Sequence, residues 1–184
     1  MKERKRKSIR PRIVQLGPED LLGNKSLEPD KLSLKRTVTI TRNTVISAPI
    51  ERCFEFIDKQ LDQTPHWDPI IKWVVPISTK HVRVGSMSRV TFDFRGVTEV
   101  AVAMIRSFHP NRSIFWTSTH SSQLQEEWRL QPEPHGTVVT VTLGYNPGGW
   151  AVGRLMEKVV MKGKVEDVVS EILARLKTAI EEQA

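Results

Sequence analysis

The chain has 184 residues, 39% of them hydrophobic and 27% charged, which fits one globular domain with a sizeable core and excludes a disordered chain or a membrane bundle. The formal net charge is +7, but seven Lys/Arg and one acid in residues 1–12, "MKERKRKSIRPR", carry +6 of it. The other 172 residues are close to neutral, which argues against a body that grips nucleic acid through a broad basic face.

Residues 1–33 are charged, broken by Pro and Gly, and show no sustained period; they read as a basic, flexible tail ahead of a domain spanning 34–184. "KRTVTITRNTVIS" (35–47) is rich in Val, Ile and Thr and predicts the first strand. The strand stops at Ala48-Pro49 and short helices are expected over 49–69, with Pro49 in the first helical turn and Ile50, Phe54 and Ile57 on one face. Six more strands follow between about 70 and 146. "IIKWVVPI" puts Ile71, Trp73, Val75 and Ile77 on one face, and "MSRVTFDF" does the same for Val90, Phe92 and Phe94. "VTEVAVAMIRSF" is apolar on both faces. The reading adopted turns Glu99, Ala101, Ala103 and Ile105 inward, against the register that would turn Val100, Val102 and Met104 inward. "LQEEWRL" turns Leu124, Glu126, Trp128 and Leu130 inward, and the last strand turns Val139, Val141, Leu143 and Tyr145 inward. Short Gly/Pro/Asn links imply an antiparallel meander. From about Gly149 to Glu181 one long helix is expected, with Val165, Val168, Val169, Ile172, Leu176, Ala179 and Ile180 as its apolar stripe.

The predicted fold is therefore α+β: a curved antiparallel sheet of about seven strands wrapped around a long C-terminal helix, with two short helices after the first strand. A ligand-sized cavity can remain between helix and sheet, open where the short helices sit. The residues expected to line it are Trp67, Trp73, Phe92, Glu99, Trp116, Glu126, Trp128, Val141, Tyr145 and, on the long helix, Met156. Large rings combine apolar area with a polar N–H, so the tryptophans point to an aromatic-lined cavity, though each also serves as ordinary core. Glu126 is the weak candidate for catalysis: a carboxylate on an apolar inward face is costly unless paired, and it can orient a hydroxyl or move a proton. A salt bridge or a local bulge is the plainer account of it.

Other chemistry finds no foothold. The single cysteine, Cys53, permits no internal disulfide and no cysteine metal cluster, and it suits a reducing compartment. The histidines show no metal spacing, so neither a metal nor a cofactor is expected; His66 adjoins the cavity mouth. No GxSxG and no phosphate-cradling loop occur, and "YNPGGW" reads as the turn that launches the long helix. The N-terminus is charged without a following apolar segment, so a cytoplasmic location is expected. The basic tail offers contact with an anionic membrane or nucleic acid.

The series "VISAPIERCFEFI", "HWDPIIKWV", "VGS", "PNRSIFW", "WRLQPEPHGTVVTVT" and a helix ending "LARLKTAIEE" resembles the START-like (SRPBCC) superfamily. Within it, the polyketide cyclase/dehydrase and lipid-transport group is the best match, over roughly residues 35–182. The resemblance implies the helix-grip fold and a body that binds a hydrophobic small molecule: a lipid, a quinone or a polyketide-like compound. Two alternatives stand beside that reading. One is an enzyme of the cyclase/dehydrase kind that uses a cavity carboxylate. The other is a partner-binding protein with no ligand. A fold does not carry a site with it.

Overall fold

The computed structural model describes residues 37–59, 64–78, 82–94, 97–118, 124–145 and 158–182. The basic segment, the turn after Tyr145 and Met156 lie outside them. Seven strands and two helices follow one another as β1 (Val38–Ile46), α1 (Ile50–Lys59), β2 (Ile71–Pro76), β3 (Met87–Phe94), β4 (Val97–His109), β5 (Ser113–Ser118), β6 (Gln125–Glu133), β7 (Gly136–Tyr145) and α2 (Lys158–Glu181). The strands form a single antiparallel sheet in the order β1-β7-β6-β5-β4-β3-β2: β2 to β7 are a meander, the first strand adds beside the last, and β1 and β2 are the two edges. The helix-grip expectation holds. A second short helix is not seen among the described residues: 64–70 run as bends, because Pro65 and Pro69 each remove a helical donor.

The junction "ISAPIERCFEFI" is fixed by capping. Ala48 N–H turns back onto the Ile46 carbonyl at 2.8 Å, and the Pro49 carbonyl accepts from the N–H groups of Arg52 and Cys53 at 3.1 Å each. Pro49 thus stands just ahead of α1 rather than within its first turn. The buried Thr137 hydroxyl donates to the Ala48 carbonyl at 2.8 Å, which ties the junction to β7. Helix α1 buries Cys53, Phe54 and Ile57 against β6 and β7, and Phe54 meets Phe108 edge-on with centroids 5.6 Å apart. At the β6–β7 hairpin Gly136 has φ +151°, and a Cβ there would lie 2.1 Å from the Ile46 carbonyl oxygen. Only glycine meets both conditions.

Helix α2 buries Val165, Val168, Val169, Ile172, Leu173, Leu176 and Ile180, with Ala179 half-buried. The expected stripe is present, widened by Leu173. The helix lies along β1 and is bound to it by polar contacts as well. Lys177 donates to the Val45 carbonyl at 2.7 Å, Glu181 accepts from Ser47 N–H at 2.8 Å, and Arg42 pairs with Glu166 at 3.3 Å.

The opposite edge, β2, is blunted rather than covered. Ile77 N–H faces β3, bonding the Met87 carbonyl at 2.9 Å. By alternation, Val74 and Pro76 turn their nitrogens outward. The Val74 N–H is taken by the Thr64 hydroxyl at 2.9 Å, and Pro76 has none.

Candidate functional site

The inner face is built from strands whose alternation is regular. Pairing across β5, β6, β7 and β1 sets Trp116, Glu126, Leu143 and Ile40 in one row, and Ile114, Trp128 and Val141 in the next. All of these side chains are buried. Towards β3 the row of Ser88, Ala103 and Ser118 replaces large side chains with small ones, and all three are buried. Small residues there project less from the inner face than the aliphatics of β1 and β7 do.

Glu126 is the chemical centre of this face. It is 3% exposed, and one of its oxygens, Oε1, accepts from both indoles: Trp116 Nε1–H at 3.1 Å and Trp128 Nε1–H. The spacing explains the geometry. Trp116 sits opposite Glu126 across the ladder, and Trp128 follows it by two residues on the same face. Each indole has one donor, and a buried indole usually spends it on a polar partner. The rings continue outward from this pair. Trp67 packs edge-on to Trp128 at 6.1 Å and 90°, and Phe92 stacks on Trp116 at 6.2 Å and 15°.

Trp67 is held by its neighbour. Asp68 is buried, and its Oδ1 accepts from Ile70 N–H at 2.8 Å and Ile71 N–H at 3.1 Å, a turn that fixes the approach to β2. Desolvation pushes the Asp68 carboxyl up to about 6, opposed by the two backbone donors and the charges of Arg175 and Lys72. Tyr145, at the β1 end of the inner face, has its phenol pushed up by burial and by the nearby Glu166 carboxylate.

The expected lining residues divide as follows. Trp67, Phe92, Trp116, Glu126, Trp128, Val141 and Tyr145 are buried on the inner side, and Ala101, Ala103 and Ile105 are buried in the inward register chosen for β4. Glu99 lies opposite Phe92 and is half-buried. Met156 lies outside the described residues. Trp73 is a correction: it is 66% exposed and points away from the inner face. The cause is a register shift between Ile71 and Trp73, where β2 carries an extra residue against β3. Ile71 and Val74 point inward, and Trp73, Val75 and Ile77 point out.

The described residues also form a groove that the sequence did not lead one to expect. A groove of about 640 Å³ runs between α1, residues 64–67 and the last turns of α2, lined among others by Phe56, Pro65, Trp67, Arg175 and Ala179. Trp67 lines it and also packs on Trp128 of the inner face. Sequence reading missed the groove and Asp68. The "HWDP" string, an Asp followed by Pro after an aromatic, was the available signal for a side-chain-capped turn at Asp68. Nothing in the sequence marked the groove, because three distant segments build it.

Among the described residues no group of His, Cys, Asp and Glu is arranged to hold a metal ion, and no helix is long and apolar enough to cross a membrane.

With this geometry the comparisons agree. The model of the family described as polyketide cyclase / dehydrase and lipid transport matches residues 37–181. The chain belongs to that family. The family's description joins polyketide cyclisation and dehydration with lipid transport. Among solved structures it is similar to a START superfamily protein from Mycobacterium smegmatis, with TM-score 0.66 and 14% identity over 79% of this chain and 99% of that one. It is similar also to the Zhui aromatase/cyclase from Streptomyces sp. R1128, with TM-score 0.65 and 15% identity over 80% and 96% of the two chains. A protein from Thermus thermophilus gives TM-score 0.64 and 20% identity over 81% and 99%. At these identities the structures speak for the fold alone. No curated protein matches the chain.

Proposed function

We propose that the chain is a carrier or sequestering protein that holds one hydrophobic small molecule, such as a lipid, quinone or polyketide-like compound, between the inner sheet face and α2. The observation that carries this is the buried Glu126 carboxylate, held by two indole donors within an apolar aromatic surface. An acceptor of that kind orients a hydroxyl or phenol, and the small side chains of Ser88, Ala103 and Ser118 support the reading, since the body of a ligand would find the least obstruction there. Trp67 serves as the gate, between the outer groove and the inner aromatic cluster. The basic segment 1–33 is read as a separate electrostatic contact for an anionic surface, and the single buried Cys53 thiol suits a cytoplasmic setting.

Cyclase/dehydrase chemistry is the second reading, and Glu126 again is the observation behind it. An oxygen already engaged by two donors is better placed to orient than to shuttle protons, so binding stands first.

Native mass spectrometry of the purified protein, with organic extraction of what travels with it, is the test. A bound compound of defined hydrophobic mass is expected. A bare chain, together with no change in melting temperature across fatty acids, quinones and aromatic polyketide-like compounds, would sink the carrier reading. Glu126→Gln then separates the two chemistries: binding weakened with nothing turned over supports the carrier, whereas a turnover abolished by that change supports the enzyme.

A further inference from the structure

The described residues expose few large hydrophobic side chains, and nearly all lie on one side of the molecule. Trp73, Val75, Ile77, Val84 and Val100 are each about half or more exposed, at 66%, 53%, 49%, 60% and 50%. On the outer face Trp73 and Val100 stand either side of Thr91, and Val75 and Val102 either side of Arg89. Val84 stands at the β2–β3 turn, which closes through Ser86 N–H to the Arg83 carbonyl at 2.9 Å with Gly85 at φ +85°. Large apolar side chains exposed together on one face of a single chain mark a docking face.

Charge and hydrogen bonding narrow the occupant. Arg89 is exposed between Val75 and Val102, Arg83 is exposed in the turn, and Lys72 is exposed at the bulge, donating to the Pro69 carbonyl at 3.3 Å; the half-buried Asp93 is an acid in the same phase of β3. A second copy packed face to face would bring the two Arg89 guanidinium groups together. A strand added by a partner finds no free edge, because Val74 N–H is already bonded and Pro76 has none. What remains is a surface with an apolar layer beneath an anionic one. Trp at the rim, aliphatics beside it and cations among them are the composition that settles at a lipid interface.

We propose that the outer face of β2 and β3, with the β2–β3 turn, docks on membranes that bear anionic lipid. Trp73, Val75, Ile77 and Val84 enter the headgroup boundary, and Lys72, Arg83 and Arg89 meet the lipid phosphates and carboxylates. This face lies on the opposite side of the sheet from Glu126, so docking leaves the inner surface unobstructed.

The test is co-sedimentation of the full chain with vesicles of phosphatidylcholine alone and with about one third phosphatidylserine, at physiological ionic strength. The native chain should sediment with the anionic vesicles. Trp73→Ser and Arg89→Glu should each weaken that binding at least about five-fold, and Trp73→Phe should keep most of it. All variants retain the basic N-terminal segment, so binding common to all of them reports the segment and not the face. Unchanged binding in Trp73→Ser, or no binding of the native chain to either vesicle, overturns the proposal. A dimer that Trp73→Ser dissolves, seen by sedimentation velocity, also overturns it and assigns the face to a second copy. Because Trp73 is exposed, a melting curve matching the native one will show that the variant is folded. Vesicle binding is read without any carried ligand, so its failure and that of the carrier reading are independent.

Discussion

An open sheet has two edges, and this molecule treats them by different physics. At β1 the edge is covered. Helix α2 lies along it, Lys177 and Glu181 bond the Val45 carbonyl and the Ser47 N–H, and the Gly136 hairpin presses against Ile46. At β2 no helix among the described residues lies along the edge, which is chemically blunted by Pro76 and the Thr64 hydroxyl, and its outer side chains Trp73 and Val75 are apolar and exposed. The lesson is that covering draws an edge into the core, while blunting leaves its outer side chains exposed. Covering buries apolar area and makes the edge part of the core. Blunting only removes a hazard, and leaves the side chains there free to be chosen for other purposes.

The contrast can be broken by mutation. The largest effect is expected at the covered edge: Gly136→Ala should cost several kcal/mol, about 2–4, because backbone as well as φ must give way. Urea unfolding reads this directly, and a loss below about 1 kcal/mol would show that the β1 end is not the anchor described. Glu126→Ala removes a shared acceptor from two buried indoles and should cost about 2–4 kcal/mol. If the variant is as stable as the native chain, the carboxylate is held by the site at no benefit to the fold, and its role is ligand alone.

Asp68 joins the α1 side to β2 and gives a pH signature. Its carboxyl is raised from 3.8 to about 6 in the folded state, so the protonated form is favoured by folding. Its contribution to stability is full below about pH 4 and is lost as pH rises through 6, a change of about 3 kcal/mol at most. Asp68→Asn should flatten that part of the stability profile between pH 4 and 7, and an unaltered slope would rule Asp68 out as its source. Glu181 moves the other way. Its bond from Ser47 N–H lowers its carboxyl, so its support for the β1 junction is present at neutral pH and is lost on acidification through the lowered value. The smallest effect belongs to the blunted edge. Trp73→Ser should shift the unfolding free energy by no more than about 0.5 kcal/mol, since the ring is mostly in water already.

How much of this was legible depended on whether the phase of alternation survived along each strand. In β6 and β7 it did: Glu126 and Trp128 share a face because nothing interrupts the period of two from Leu124 to Leu130. In β4 both phases are apolar, and only the small size of Ala101 and Ala103 pointed to the correct one. In β2 the string "IKWVVP" carries apolar residues in both phases, so its sequence could not reveal where the extra residue lay. Leu173 was within reach, since it lies one turn from both Val169 and Leu176 on the helix. The groove beside Trp67 was not, because its walls come from residues far apart in the chain and meet only through the packing of α1 against α2.

The bulge at Lys72 and Trp73 has a consequence for how such a protein can change. It acts as a phase shifter: the strand before it and the strand after it are half a period apart. Deleting Lys72 would remove the extra residue and leave the pairing as it is: Ile71 still opposite Phe92, Trp73 opposite Thr91 and Val74 opposite Val90. Trp73 and Val75 would stay outward and Val74 inward. The facing of the largest ring on β2 is therefore set by its pairing with β3, and the extra residue can be lost in one step without moving any side chain from one face of the sheet to the other.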